Sequence, residues 1–173
     1  MNLVLIGYMG SGKTSVGKEL ARSLNFTFTD LDSAIENSLG MTISEIFASK
    51  GEIFFRKQEA EVLKEVLSDQ TKLVLATGGG TPCYGTVMQD LSNRDHTTTI
   101  YLKNNLDILT KRLFQEKEHR PLIAHLETEE LLNDFLRKHL FERTFYYNQA
   151  DYIINCDELT VTDIVENILL KLF

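Results

Sequence analysis

The segment Gly7–Thr14 contains the residues whose types and spacing point most directly to chemistry. It reads Gly-Tyr-Met-Gly-Ser-Gly-Lys-Thr and matches the G-x-x-x-x-G-K-[ST] pattern of a phosphate-binding loop. The glycines let the backbone curl so that successive N–H groups point at an anion, and the N-terminus of a following helix adds partial positive charge. Lys13 would then bridge the outer phosphates of a nucleotide, and the Thr14 hydroxyl would hold Mg²⁺.

The sequence on either side of this loop argues against a chance glycine turn. The apolar run Leu3–Ile6 ends directly before Gly7, and apolar residues at helical spacing follow the loop, at Val16, Leu20 and Leu24. A strand before the glycines and a helix after them are the context that a phosphate loop requires. The segment therefore predicts a site for nucleotide phosphates.

Two carboxylates, Asp30 and Asp32, follow the apolar run Phe26–Thr29. Because residues two apart in an extended segment point to the same side, both carboxylates are expected to face one space. One could hold Mg²⁺ through water while the other accepts a hydrogen bond from a substrate hydroxyl. The alternative is that Asp32 or Ser33 only caps the next helix. Ser33-x-x-Glu36 forms a capping box, which would leave Asp32 free for function.

Two further charged segments each allow two interpretations. Arg56 and Glu59 stand three residues apart in a helical pattern, which predicts an ion pair; at a surface such a pair contributes little to stability. The stretch from Gln115 to Leu122 is a solvated loop in the simpler interpretation. If it lies over the phosphate loop it is a lid, and Arg120 could reach the transferred phosphate.

Three consecutive glycines, Gly78–Gly80, follow the apolar run Leu73–Ala76. Glycine loses more conformational freedom on folding than any other residue, so we expect another group to approach this backbone closely. Many P-loop proteins place a metal-binding Asp after the corresponding strand, and this chain has none there. Asp30 is the nearest substitute.

The elements that must position these residues follow from the apolar pattern. Helical patterns alternate with five apolar runs: Leu3–Ile6, Phe26–Thr29, Leu73–Ala76, Thr99–Leu102 and Tyr152–Ile154. This alternation predicts an α/β fold in which helices cover both faces of a parallel sheet. In such sheets ligands bind beyond the carboxyl ends of the strands, which is where the candidate residues fall.

Local signals predict several helix boundaries. Thr42 starts a helix through a capping box with Glu45, and Gly51 interrupts that helix. The segment from Thr160 to Phe173 is predicted to form a terminal helix. A helix capped by Thr128 is expected to turn four apolar residues toward the core, namely Leu131, Leu132, Phe135 and Leu140.

Composition bounds the class of protein. At 173 residues with 43% hydrophobic residues, the chain is large enough for one domain with a substantial core. The net charge of −7 argues against a general nucleic-acid surface, and no apolar run approaches the length of a membrane span. The first apolar run is too short for a signal peptide. Cys83 and Cys156 match no metal spacing, so we expect two buried thiols in a reducing cytoplasm.

The complete set of motifs resembles the shikimate kinase family in order and spacing over nearly the whole chain. The matching segments are the phosphate loop, Asp30-x-Asp32, Phe55-Arg56-x-x-Glu59, Gly78-Gly79-Gly80 and Arg120-Pro121-Leu122. The phosphate loop alone is widely shared, and Phe-Arg-x-x-Glu together with the triple glycine is the discriminating part. The resemblance implies transfer of the ATP γ-phosphate to the 3-hydroxyl of shikimate, on the route to chorismate and aromatic amino acids.

The resemblance also implies a fold and a domain organisation. The fold is a P-loop three-layer sandwich in which a five-stranded parallel sheet of order 2-3-1-4-5 has helices on both faces and a mobile lid, as in nucleoside monophosphate kinases. Residues 1–173 form one kinase domain, with a shikimate-binding segment at 32–60 and a lid at about 113–126. We expect a cytoplasmic monomer whose partners are ATP and shikimate, with no nucleic acid and no membrane.

Carried over by position, the family pattern implies a role for each matched residue. The catalytic residues are Lys13, Asp32 and Arg120. Those expected to bind ATP are Gly10, Ser11, Gly12, Lys13, Thr14, Ser15, Arg112 and Arg120. Those expected to bind shikimate are Asp32, Phe47, Phe55, Arg56, Gly78, Gly79, Gly80 and Arg143. The cofactor is Mg²⁺, held directly by Thr14 and through water by Asp30.

One position departs from the family pattern. The family usually has Arg-x-Pro-x-Tyr near the end of this region, and here Phe145 stands in place of the proline. Arg143 and Tyr147 are retained, so Arg143 is kept as the second arginine for the shikimate carboxylate.

Three other classes of protein share parts of the pattern. A gluconate kinase or nucleotide kinase also needs a phosphate loop, and gluconate is a polyhydroxy carboxylate, but neither explains the complete motif set. A GTPase-type switch would need an Asn-Lys-x-Asp guanine motif and an Asp after the third strand, and both are missing. A catalytically inactive binding module would not need to keep the intact set Lys13, Thr14, Asp30, Asp32 and Arg120.

Overall fold

The five apolar runs form the strands of one parallel sheet in a computed structural model that describes residues 1–173. The strands are Asn2–Ile6 (β1), Thr27–Asp30 (β2), Leu73–Ala76 (β3), Thr97–Lys103 (β4) and Tyr152–Asn155 (β5). Their spatial order is β2-β3-β1-β4-β5, which confirms the predicted topology. The central strand pairs on its two sides in the registers Val4↔Leu75 and Val4↔Thr99.

Helices lie between the strands along the chain. They are Lys13–Leu24 (α1), Leu31–Leu39 (α2), Ile43–Asp69 (α3), Val87–Ser92 (α4), Leu106–Glu116 (α5), Glu129–Tyr147 (α6) and Val161–Leu172 (α7). Two short 3-10 turns, Thr81–Cys83 and Lys117–His119, complete the regular structure. None of the helices combines the length and the apolar character that crossing a membrane requires.

The two faces of β1 enter two separate cores. Val4 and Ile6 join one cluster of buried side chains, whereas Leu3 and Leu5 join a second cluster with α1 and α7. All five residues of β1 are buried. Full burial of one Leu or Ile side chain contributes about 1.5–3 kcal/mol, so the central strand is well anchored from both sides. This three-layer arrangement fixes the carboxyl end of β1, from which the phosphate loop begins.

Several predicted helix boundaries are confirmed. Thr42 forms a reciprocal capping box with Glu45 at the start of α3, and Gly51 interrupts that helix with φ 83°. Thr128 caps α6 through its side chain. The predicted terminal helix is α7, which starts one residue later than expected because Thr160 is its N-cap.

The predicted capping box at Ser33 is wrong. Helix α2 begins at Leu31, and its N-cap is Asp30, whose Oδ1 accepts a hydrogen bond from the Ser33 amide at 3.2 Å. Asp and Ser are comparable N-cap residues, and the chain turns into the helix as soon as β2 ends. Asp32 therefore lies in the first turn of α2 and not in an extended segment. The prediction that Asp30 and Asp32 point to one side because both are in a strand is wrong.

Two burial predictions also need correction. Leu131 is 52% exposed, because the buried side of α6 runs through Leu132, Leu136 and Tyr147. Phe135 and Leu140 are partly buried against the core, as predicted. Of the two thiols, which are both free, Cys156 is buried but Cys83 is only half-buried.

Candidate active site

The phosphate loop joins β1 to α1 in the predicted strand–loop–helix arrangement. Gly10 and Gly12 adopt φ of 78° and 89°, in the left-handed region that favours glycine. Lys13 lies inside the curve of the loop, where its Nζ donates to the carbonyl oxygens of Gly7 at 2.8 Å and Tyr8 at 2.9 Å. The loop thus holds a cation at its centre and directs the N-terminus of α1 at the same space.

Burial lowers the pKa of Lys13 to about 8, and the nearby charge of Arg120 acts in the same direction. The carboxylates of Asp32 and Asp30 oppose this shift. Lys13 therefore remains mostly protonated at neutral pH. Arg120 and both aspartates therefore lie close enough to Lys13 for their charges to change its pKa.

Thr14 and Asp30 lie together at the mouth of the loop. The Thr14 hydroxyl donates to Asp30 Oδ2 at 3.0 Å, and the other oxygen of Asp30 caps α2. One hydroxyl and one carboxylate are the hard oxygen ligands that Mg²⁺ uses beside substrate phosphates. No group of three or more His, Cys, Asp or Glu side chains that could hold a metal ion occurs in the structure, at this site or elsewhere.

Asp32 is a half-buried carboxylate at the edge of the glycine loop. Burial raises its pKa to about 6, and the negative charges of Asp30 and Glu59 add to the increase. A Cβ on Gly78 would lie 3.3 Å from Asp32 Oδ1, so the carboxylate faces the glycine backbone. A carboxyl group with this pKa is ionised at neutral pH and can still take up a proton.

Arg56 and Glu59 form an ion pair that is largely buried, whereas their spacing in the sequence suggested a pair at the surface. Its Nη1 donates to Glu59 Oε1 at 2.8 Å, with side-chain exposures of 18% for Arg56 and 3% for Glu59. Glu59 Oε2 also accepts from the Thr81 hydroxyl at 2.8 Å. The surface interpretation of this pair is therefore wrong. Nε of Arg56 is buried and has no hydrogen-bond partner.

Aromatic rings pack around the Arg56 guanidinium. Its Cζ lies 3.9 Å from the centroid of the Tyr84 ring and 5.1 Å from that of Phe55. Phe55 in turn stacks against Phe47 with centroids 4.6 Å apart, and Phe47 is partly exposed. The two phenylalanines that the family pattern implies thus lie beside the arginine.

The triple glycine is where two arginines converge. A Cβ on Gly80 would lie 2.7 Å from Arg56 Nη2, a distance that real side chains do not tolerate. A Cβ on Gly79 would lie 3.3 Å from Arg143 Nη1 and 3.2 Å from the Met9 amide nitrogen of the phosphate loop. The expected close approach is confirmed, and the groups that approach are the two candidate carboxylate ligands and the phosphate loop.

Helix α6 holds Arg143 through neighbours on the same face. The Tyr147 hydroxyl donates to the Gly79 carbonyl at 2.6 Å, and the Arg143 guanidinium lies 5.8 Å from the centroid of the Tyr8 ring. Tyr8 Oη and His139 Nδ1 are 2.8 Å apart. Phe145, which stands in place of the usual proline, is 71% exposed and packs edge-on against the Tyr146 ring, with the centroids 5.4 Å apart.

The segment predicted as a lid begins at the end of α5. Arg112 Nη1 donates to the Gly10 carbonyl of the phosphate loop at 3.2 Å. Arg120 Nη2 donates to Glu116 Oε2 at 2.9 Å, and the buried Ile123 anchors the stretch that follows. Ser11 is buried within the loop, whereas Ser15 is exposed on α1. Arg112 thus contacts the phosphate loop directly, whereas Arg120 acts on Lys13 only through its charge.

Four residues of the site carried no signal in the sequence. Thr81 binds Glu59, Tyr84 stacks on Arg56, and Tyr8 and His139 join the phosphate loop to α6. Tyr8 occupies a variable position of the loop motif, and the other three lie in segments without a chemical pattern. Of those other three, only Thr81 and Tyr84 lie near a motif, because they stand one and four residues after Gly80.

A phosphate loop on a five-stranded parallel sheet, faced by a carboxylate and two arginines, defines a P-loop kinase for a small anionic molecule. The sequence model of the shikimate kinase family matches residues 9–173. The chain therefore belongs to the shikimate kinase family.

Individual relatives agree with this assignment. A shikimate kinase from Flavobacterium psychrophilum is 46% identical over 166 residues, which cover 96% of this chain and 95% of that protein. The crystal structure of a shikimate kinase from Bacteroides thetaiotaomicron aligns with a TM-score of 0.91 and 36% identity, covering 99% of this chain and 98% of the other. A shikimate kinase from Acinetobacter baumannii, solved in complex with shikimate, aligns with a TM-score of 0.82 and 34% identity, covering 99% and 92%.

Proposed function

We propose that this protein transfers the γ-phosphate of ATP to the 3-hydroxyl of shikimate, giving shikimate 3-phosphate and ADP. The observation that carries the proposal is the glycine loop, where Gly79 lies between the Met9 amide and Arg143 while Gly80 lies against Arg56. Shikimate is a ring with one carboxylate and three hydroxyls. Two arginines beside an exposed backbone suit such an acid, and the adjoining phosphate loop suits the phosphoryl donor.

The proposed chemistry needs charge neutralisation and positioning more than covalent catalysis. Lys13 and Arg120 supply positive charge around the moving phosphoryl group. Asp32 binds the attacking hydroxyl and can accept its proton, a role that its pKa of about 6 supports. Gly10, Ser11, Gly12 and Ser15 line the phosphates, and Arg112 lies along the adenine.

We expect Mg²⁺ to be bound with ATP by Thr14 directly and by Asp30 through water. The 3.0 Å hydrogen bond between these two side chains supports this pairing, because a metal-bound water can insert between them. When bound, the ion neutralises charge on the β- and γ-phosphates. Asp30 would then orient the metal ligands while it continues to cap α2.

Arg56 is proposed as the principal carboxylate ligand, with Arg143 as the second. Glu59 occupies one edge of the Arg56 guanidinium through Nη1, and Nε makes no hydrogen bond, because Glu52 Oε1 lies 3.9 Å from it. A planar carboxylate that pairs with the Nε edge would satisfy this buried donor. Phe47 and Phe55 pack beside the ring, and residues 32–60 form the shikimate-binding segment.

The partners and setting follow from the same proposal. ATP and shikimate are the ligands, and nothing in the proposed chemistry requires nucleic acid or a membrane. Both cysteines are free thiols, and ATP is a cytoplasmic co-substrate, which together favour the cytoplasm. All the proposed ligands come from one chain, so we expect residues 1–173 to act as a single-domain monomer.

The direct test is to follow ADP release from MgATP with shikimate, gluconate or nucleoside monophosphates as separate acceptors. We expect release with shikimate and no comparable rate with the other two. The gluconate arm matters because gluconate also presents a carboxylate and several hydroxyls. Turnover with gluconate alone would assign the site to a different sugar-acid kinase.

The two aspartates are expected to serve different ligands. Asp30→Asn should raise the Mg²⁺ concentration needed for half-maximal rate about tenfold, because the charge that orients the metal ligands is lost. Asp32→Asn should lower kcat about 10²-fold and leave the Mg²⁺ dependence nearly unchanged. Rates measured across a Mg²⁺ titration distinguish them. If both variants changed only the Mg²⁺ requirement, the hydroxyl role of Asp32 would be wrong.

The raised pKa of Asp32 predicts a pH dependence. The carboxylate accepts a proton only when ionised, so kcat/KM for shikimate should fall as the pH drops below about 6. The residual activity of Asp32→Asn should lack this acid limb. Asp134→Asn, at an exposed ion pair on α6, is the matched control and should keep the limb. A limb that persists in Asp32→Asn would assign it to another group.

Arg120 is expected to act from a lid, at about residues 113–126, that closes over ATP. Arg120→Ala should slow transfer about 10²-fold, the effect of losing one charge-stabilising donor, while shikimate binding without nucleotide stays nearly unchanged. Trypsin should cut after Lys117 more slowly once a nonhydrolysable ATP analogue is bound. Cleavage after Lys171, on α7, provides the internal reference. An equal rate of cleavage after Lys117 with and without the nucleotide would indicate a loop that does not close.

A further inference from the structure

The position of Tyr84 is defined by an anchored turn directly after the triple glycine. Thr81 and Pro82 are buried in the 3-10 turn Thr81–Cys83, and the Cys83 amide donates to the Gly80 carbonyl at 2.9 Å. Tyr84 ends this turn in an extended conformation. Gly85 follows with φ 55°, which lets the chain leave in another direction. The anchored backbone on either side fixes the position of Tyr84, although this residue is 37% exposed.

The same turn also restrains the ion-pair partner of Arg56. The Thr81 hydroxyl donates to Glu59 Oε2, and Glu59 Oε1 accepts from Arg56 Nη1, both at 2.8 Å. The Arg56 guanidinium thus has Glu59 at one edge, Gly80 beside Nη2, and the Tyr84 ring 3.9 Å from Cζ. These contacts restrict both the plane of the guanidinium and its rotation in that plane.

We propose that Tyr84 is a positioning residue that sets the plane of Arg56 for a planar carboxylate, an inference that rests on the proposed role of Arg56. An arginine side chain loses much rotamer freedom when it binds a ligand bidentately. A ring that already stacks on the guanidinium lowers this loss before the ligand arrives. The face of an aromatic ring also attracts the cation itself.

This role predicts which property of the ring matters. Tyr84→Phe keeps the aromatic face and should leave the KM for shikimate within about twofold of wild type. Tyr84→Leu keeps an apolar side chain but removes the face, and should raise that KM about tenfold, the size expected for a partly desolvated cation–π contact. The KM for MgATP should stay the same in both variants, because Tyr84 stacks on the proposed carboxylate ligand, not on the phosphate loop.

A double-mutant cycle tests whether Tyr84 acts through Arg56. In an Arg56→Ala background, Tyr84→Leu should cause no further change in the KM for shikimate, because the group that it positions is absent. Phe141→Leu removes an aromatic ring that is 83% exposed on α6 and is the matched control, with no expected effect. A merely structural role would lower the melting temperature and the active fraction, which changes the apparent kcat but not KM.

The outcomes separate this inference from the proposed function. If Arg56→Ala raises the KM for shikimate but Tyr84→Leu does not, the positioning role is wrong and the carboxylate site remains. Tyr84→Phe as impaired as Tyr84→Leu would also overturn it, because the hydroxyl would then be the active feature. If neither Arg56→Ala nor Tyr84→Leu changes KM, both the carboxylate role of Arg56 and the inference built on it fail.

Discussion

Replacing Lys13 with methionine is expected to lower kcat about 10³-fold or more while the fold remains intact. Methionine keeps an unbranched side chain and a high helix propensity at the first position of α1. It removes the one ammonium that lies at the centre of the phosphate loop, within hydrogen-bond distance of the Gly7 and Tyr8 carbonyls. Charge stabilisation of the transferring phosphoryl group is the largest contribution that such a site makes to rate.

The measurement is ADP release with shikimate, beside circular dichroism and thermal unfolding of the same preparations. Lys18→Met is the matched control, because Lys18 is an exposed lysine on the same helix, and its rate should equal that of wild type. A Lys13→Met protein that is folded and fully active would remove the phosphate loop from the chemistry. Loss of activity in both variants would instead indicate damage to α1.

The features that the sequence predicted well are those determined by neighbouring residues. Each strand contains most of one predicted run, and the phosphate loop needs only its own glycines and the strand and helix on either side. The caps at Thr42 and Thr128 likewise depend on residues within one helical turn. The strand order came from the resemblance to a family, because local patterns do not specify which strands pair.

The incorrect predictions involve competition or contacts that local patterns do not encode. Asp30 and Ser33 are both good N-cap residues. Asp30 is the N-cap because β2 ends there and α2 begins at the next residue. The burial of the Arg56–Glu59 pair depends on Thr81, which is 22 residues beyond Glu59 in the chain. The contact between Tyr84 and Arg56 was not predicted, because it forms only where the glycine loop after β3 lies beside α3. Spacing along the chain carries no information about such contacts.

Arg56→Ala is expected to weaken shikimate binding by about 3–5 kcal/mol, or roughly 10²- to 10⁴-fold, because it removes the protein's partner in a largely buried pair with the substrate carboxylate. Arg56→Lys keeps the charge but loses the planar fork, so it should lose much of the binding and less than the alanine variant. Arg22→Ala is the matched control, because Arg22 forms an exposed i,i+3 pair with Glu19 at 2.6 Å and should leave binding unchanged.

Removal of Arg56 also leaves Glu59 buried without its ion-pair partner, so binding loss alone does not identify the cause. The methyl ester of shikimate separates the two effects, because it keeps the ring and hydroxyls and lacks the carboxylate charge. Wild type should bind the acid far more tightly than the ester, and Arg56→Ala should discriminate between them only weakly. The coupling in this cycle of protein and ligand changes is the quantity to measure, with circular dichroism to confirm that α3 remains folded. If the variant still preferred the acid as strongly as wild type does, the carboxylate would lie elsewhere. Arg143, against Gly79 on the other side of the loop, would then be its first candidate ligand.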